Sequence, residues 1–133
     1  MKTLEHDQQV LLFQWIDLMK GQIPELELVF AIPNGGHRHK AVAAKLRAEG
    51  VRAGIPDIFI ACPREIITGG YQVGPRAESF GGLFIELKAG KNKTTESQDE
   101  WIFRLKNAGY KVAVCYGFEE AKREILGYLE VKE

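Results

Sequence analysis

Asp57 follows a proline and opens the apolar run Ile58-Phe59-Ile60, while Glu86 and Lys88 close the apolar run Leu83-Phe84-Ile85. Each places charge at the end of a segment composed like a buried β-strand. Strand side chains alternate between faces, so Glu86 and Lys88 project to one side and Leu87 to the other. If the two strands pair, Asp57 brings a second carboxylate to the same rim. Carboxylate oxygens are the natural ligands of a hard divalent cation. A carboxylate pair holding such a cation, with an ammonium group beside it, is equipped to hydrolyse a phosphodiester.

Neither half of this pattern suffices alone. Pro-Asp commonly begins a turn, and a charged strand end is also what one wet sheet face produces. Leu83, Phe84, Ile85 and Leu87 nevertheless supply apolar groups to both faces, which argues for a central strand. Charged groups at the end of a central strand need partners or a metal.

Elements that would position these residues can be read along the chain. Helical spacing of Leu4, Leu11, Leu12, Trp15, Leu18 and Met19 predicts a first helix over about residues 3–20, ended by Gly21 and Pro24. Residues 27–32 read as a strand stopped by the turn signal Pro33-Asn34-Gly35-Gly36. An alanine-rich helix over 40–49 ends at Gly50. The strand at 57–61 follows, then a glycine-broken stretch over 63–82 that reads as a hairpin arm or a loop, then the strand at 83–88. Thr95-Glu96-Ser97-Gln98 has the pattern of a capping box and opens a helix reaching Gly109, with Trp101, Ile102 and Leu105 on its inner stripe. A strand over 111–116 and a helix over 118–129 complete the order. This is α/β: a sandwich in which helices flank a mixed central sheet.

The length of 133 residues favours one domain spanning 1–133 with a real core. Formal net charge is zero, so composition alone announces no nucleic-acid partner. Local charge is uneven: between Asn34 and Arg52, five basic residues (Arg38, Lys40, Lys45, Arg47, Arg52) face one acid, Glu49. Such a stretch suits phosphate binding or a solvated helix face. Glycines in Asn34-Gly35-Gly36-His37-Arg38 would let backbone N–H groups approach a phosphate, with Arg38, Lys40 and, beyond the second motif, Lys91 adding charge. Cys62 and Cys115 lie in apolar runs and read as buried free thiols of a reducing compartment. With no apolar run of membrane-spanning length and no signal-peptide pattern at the start, a cytoplasmic setting without membrane contact is expected.

Pro56-Asp57 with Glu86-Leu87-Lys88 resembles the signature of PD-(D/E)xK nucleases. More narrowly, the chain resembles the stand-alone phage or bacterial form of the VRR-NUC (virus-type replication-repair nuclease) domain. The similar pieces are Glu5, Pro33-Asn34-Gly35-Gly36, Gly54-Ile55-Pro56-Asp57, Glu86-Leu87-Lys88 and Gln98. The resemblance implies a restriction-endonuclease-like αβββαβ core. It implies Asp57, Glu86 and the backbone carbonyl of Leu87 as ligands of Mg²⁺, with Mn²⁺ able to substitute. Lys88 would position or deprotonate the attacking water, Glu5 would approach the metal through water, and Gln98 would support Lys88 or a phosphate. Two residues carry simpler alternatives: Glu5 as a helix N-terminal carboxylate, and Gln98 as the capping-box partner of Thr95.

The implied activity is a Mg²⁺-dependent endodeoxyribonuclease acting on branched DNA, above all four-way (Holliday) junctions in repair. It would leave 5′-phosphate and 3′-hydroxyl ends and work as a homodimer in a bacterial cell or phage-infected host. Phe13, Ile16, Phe30 and Tyr116 are apolar residues available for a dimer contact. A flap- or restriction-type nuclease with the same site, and a non-catalytic nucleic-acid-binding module on this fold, remain open alternatives.

Overall fold

The computed structural model describes residues 2–33 and 40–131. Helix α1 (Lys2–Met19) leads through a 3-10 turn (Pro24–Leu28) into strand β1 (Val29–Ala31). Helix α2 (Lys40–Ala48) and strand β2 (Ile58–Ile60) follow, then β3 (Arg64–Gly70), β4 (Gly74–Phe80) and β5 (Leu83–Lys88). Helix α3 (Glu96–Asn107), strand β6 (Lys111–Tyr116) and helix α4 (Phe118–Tyr128) close the chain.

The central sheet has the order β1-β2-β5-β6. β1–β2 and β2–β5 are antiparallel. β5 and β6 are parallel, joined by α3 as a helical crossover. All six residues of β5 are buried, so it is the central strand its apolar composition predicted. Period-two alternation sorts its side chains. Leu83, Ile85 and Leu87 join Ile58 and Ile60 in the core against Leu12 and Ile16 of α1 and Ile125 and Tyr128 of α4. Burying each aliphatic side chain of this kind contributes roughly 1.5–3 kcal/mol. On the opposite face, Phe84 stacks on Phe59 with centroids 4.3 Å apart, and Tyr110 meets both rings edge-on. Asp57, Glu86 and Lys88 belong to this second face.

Residues 63–82 form a separate two-stranded hairpin, β3–β4, in register from Arg64↔Phe80 to Gly70↔Gly74 around the tip Tyr71-Gln72-Val73. Its base is tied to α4. Arg64 donates to the Leu129 carbonyl at 2.9 Å, and the Tyr128 hydroxyl donates to the Cys62 carbonyl at 2.6 Å. Both cysteines are free and buried.

Several sequence expectations are corrected. The strand expected over 27–32 is shorter: Glu27 and Leu28 belong to the 3-10 turn that Pro24 opens, since Pro24 has no N–H and a fixed φ, and extended pairing runs only from Val29 to Ala31. The stripe expected for α1 is rotated. Leu12 and Ile16 are buried, whereas Leu4, Leu11 and Leu18 are exposed, because packing against α4 selects the inner face. Ile16 therefore belongs to the core and cannot serve a dimer contact. Trp101, Ile102 and Leu105 of α3 are only half-buried. Among the described residues no helix is long and apolar enough to cross a membrane.

Candidate active site

The register that pairs Ile58 with Ile85 and Phe59 with Phe84 carries on to set Asp57 opposite Glu86 at one end of the sheet. Pro56 is fully buried and fixes the entry to β2. Asp57 is anchored at both ends: its backbone carbonyl accepts from Ile32 N–H at 2.7 Å, and its Oδ2 accepts from Leu87 N–H at 2.8 Å. The N–H and C=O of one strand residue project to the same edge. The Leu87 carbonyl thus faces the β2 edge, the side of Asp57. Consistently, the next carbonyl, that of Lys88, faces the other way and accepts from Gly117 N–H at 3.0 Å.

Glu86 is 2% exposed and Lys88 6%. The Lys88 Nζ lies 3.8 Å from Glu86 Oε2. Gln98 spans the pair from α3: its Oε1 accepts from Lys88 Nζ at 2.9 Å, and its Nε2 donates to Glu86 Oε2 at 3.2 Å. The same Oε1 accepts from Thr95 N–H at 2.9 Å while Thr95 Oγ1 accepts from Gln98 N–H, a complete capping box. The contact with Lys88 and the capping box therefore coexist at Gln98. Glu86 Oε1 is buried and has no hydrogen-bond donor.

Electrostatics follow from this crowding. Burial and the neighbouring Asp57 charge push the Glu86 carboxyl up to about 8. Burial likewise raises Asp57, opposed by the Leu87 N–H. The charge of Glu5 adds to the raising of both. Lys88 alone does not neutralise the rim. Glu5 itself, near the start of α1, accepts from Asn92 Nδ2 at 3.0 Å, and the Asn92 carbonyl accepts from the Tyr116 hydroxyl at 2.8 Å. Asn92 escapes the sequence reading, which takes Tyr116 only as an apolar residue for a dimer contact. No local pattern marks them, since they meet Glu5 only through the fold.

The donors gathered here fit a hard divalent cation. All are oxygens: two carboxylates, one with an orphaned buried atom, and a carbonyl facing the same edge. Among the described residues no three His, Cys, Asp or Glu side chains converge on one point. Mg²⁺ accepts one or two carboxylates with several waters retained.

The α3 N-terminus is seated closely. Gly54 has φ +89°, and a Cβ there would meet the Ser97 backbone carbon and Oγ at 2.8 Å. This contact presses the loop before Asp57 against the helix that carries Gln98. Lys40 and Lys91 are both exposed, at the start of α2 and in the turn after β5. Asn34, Gly35, Gly36, His37 and Arg38 lie outside the described residues.

The VRR-NUC domain model matches residues 6–119 of the chain. A solved structure described as a VRR_NUC domain protein superposes with a TM-score of 0.71 at 25% sequence identity, covering 98% of this chain and 91% of that one. No curated protein matches. Fold and match together define a nuclease domain of the PD-(D/E)xK type. Within that class the chain belongs to the VRR-NUC domain family.

Proposed function

We propose that the protein is a Mg²⁺-dependent DNA endonuclease whose site is Asp57, Glu86, the Leu87 carbonyl, Lys88, Gln98 and Glu5. The observation that carries this reading is the buried Glu86 carboxyl, set beside Asp57 with one oxygen lacking any donor. Two carboxyls so placed repel each other when ionised, and a bound cation relieves both. Asp57, Glu86 and the Leu87 carbonyl would hold it. When bound, Mg²⁺ supplies positive charge that offsets the charge on the phosphate and on the departing 3′ oxygen.

The chain's own groups supply orientation. Gln98 and Glu86 fix the Lys88 ammonium by hydrogen bond and charge, leaving its remaining N–H donors for a water or a phosphate oxygen. Asn92 holds the Glu5 carboxylate on the α1 side of the same rim. Lys40 and Lys91, with residues 34–38, would contact the DNA backbone.

The finer reading is cleavage of branched DNA, with four-way junctions preferred, by a homodimer leaving 5′-phosphate and 3′-hydroxyl ends. It rests on likeness to stand-alone VRR-NUC domains and on symmetry. A two-fold enzyme can place matched nicks across a symmetric junction. Phe30 at the exposed sheet edge and the half-exposed Tyr116 are available for such a contact.

The test is cleavage of end-labelled four-way junction, flap and linear duplex DNA, with and without Mg²⁺, by the wild type beside Asp57→Ala. The reading expects Mg²⁺-dependent cutting, strongest on the junction and abolished in the variant. Equal cutting of linear duplex would overturn the junction preference. Equal cutting by Asp57→Ala would overturn the site.

A further inference from the structure

Between α2 and α3 lies a groove of about 630 Å³ that the site described above does not use. Leu46 and Arg47 of α2, Val51 and Arg52 of the following loop, and Trp101 and Arg104 of α3 line it. Helix α2 buries none of its residues, and its Ala43 and Leu46 line this space. Trp101 is half-buried, and the Arg104 guanidinium lies 5.5 Å from its ring centroid. The guanidinium lies over the ring, and the pair forms a platform of π surface on the groove wall. Arg104 also pairs with Glu100. Arg52 donates to the Arg47 carbonyl at 3.2 Å. Among the described residues neither Arg47 nor Arg52 has a carboxylate within 4.0 Å.

An aromatic platform flanked by cations without counter-charge matches one ligand chemistry: a flat heteroaromatic group joined to a phosphate. Bases stack on aromatic side chains and on guanidinium planes, while arginines take the phosphate in bidentate fashion. The groove shares both its walls with the catalytic rim. Ala53 lines it, and the same loop runs through Gly54 to Asp57. Trp101 follows Gln98 by about one turn of α3. The loop from Ala53 to Asp57 and the first turns of α3 thus join groove and rim.

We propose that this groove holds an unpaired nucleotide of the DNA substrate, its base stacked on Trp101–Arg104 and its phosphate on Arg47 and Arg52. This assignment rests on the nuclease reading and specifies its substrate: DNA with a single-stranded or unstacked nucleotide beside the cut. A base inside a duplex cannot present its face to the platform without leaving the stack.

The test uses the two tryptophans. In a Trp15→Phe background Trp101 is the one remaining indole. Its fluorescence is titrated in EDTA with a single-stranded oligothymidylate of about ten nucleotides, a length that covers one such site, and with a duplex of the same length. Saturable quenching by the single strand, with little by the duplex, is expected. Arg47→Ala with Arg52→Ala should weaken it about tenfold and lower the slope of log K against log salt by about 0.7, the share of one neutralised phosphate on a single strand. Absence of quenching, equal quenching by duplex, or an unaltered salt slope in the double variant would overturn the proposal. Because no divalent ion is present, these outcomes are independent of whether the rim cleaves DNA. Circular dichroism of the arginine variant, expected to match the wild type, separates loss of binding from loss of fold.

Discussion

Gln98 Oε1 lies 2.9 Å from Lys88 Nζ, and the same oxygen caps the backbone of the helix that carries it. Helix initiation and placement of a buried ammonium are therefore one interaction. Gln98→Ala removes both. It is expected to cost about 1 kcal/mol of stability through the lost cap and to lower DNA cleavage by about 10–100-fold through a displaced Lys88. Thr95→Ala, which removes only the cap hydroxyl, should reproduce the stability loss with a smaller effect on rate. Thermal melts and single-turnover cleavage of both variants check this.

Glu86 gives a pH signature. Its folded value of about 8 exceeds its ordinary 4.5, so the folded state keeps a proton that the unfolded state has released between those limits. The neutral carboxyl's contribution is whole below about pH 4.5 and is lost as pH rises through 8. In EDTA, Glu86→Gln should therefore be more stable than the wild type at pH 8, by an amount on the order of a few kcal/mol, and nearly equal to it at pH 4.5. The same variant should not cut DNA. Melting temperatures at the two pH values in EDTA read the effect.

Adding Mg²⁺ should reverse that order. A cation held by Asp57 and Glu86 displaces the retained proton, so the wild type gains stability from Mg²⁺, more at pH 8 than at pH 6, while Glu86→Gln gains little. Differential scanning fluorimetry across a Mg²⁺ series at both pH values makes the comparison.

Asn92→Ala frees Glu5 from its partner without touching the rim. The expected outcome is an increase of up to about tenfold in the Mg²⁺ concentration needed for half-maximal cleavage, with folding preserved. Tyr116→Phe, which removes the hydroxyl that steadies Asn92, should shift it in the same direction by less.

Gly54→Ala tests how the helix is seated. A methyl group 2.8 Å from the Ser97 backbone, on a residue held at φ +89°, forces the loop and α3 apart. A stability loss of about 1–3 kcal/mol is expected, together with reduced cleavage, because Gln98 moves away from Lys88. Guanidinium unfolding and cleavage rates measure the two effects separately.

The parts legible in the sequence are those whose signal is local. β5 announces itself because period two and an apolar run coincide, and the alternation that puts Glu86 and Lys88 on one face follows from the pleat. The capping box at Thr95–Gln98 is readable for the same reason. The hairpin at 63–82 was half-legible: its glycines mark breaks, but pairing across Tyr71-Gln72-Val73 is a matter of register. What could not be read depends on distant partners. Leu4, Leu11 and Leu18 are as apolar as Leu12, and the packing of α1 against the sheet and α4 decides which of them is buried. Asn92 meets Glu5 across most of the chain. The platform at Trp101 needs Arg47 and Arg52 from another helix and loop, which no spacing rule connects.

The central claim is that Asp57 and Glu86 together hold a divalent cation. Electron paramagnetic resonance of Mn²⁺ added to the wild type, to Asp57→Asn and to Glu86→Gln tests it most directly. A bound-ion signal in the wild type that saturates with protein concentration and is lost in both variants is the predicted result. Mn²⁺ binding of equal strength in all three proteins, or in none, would contradict the account.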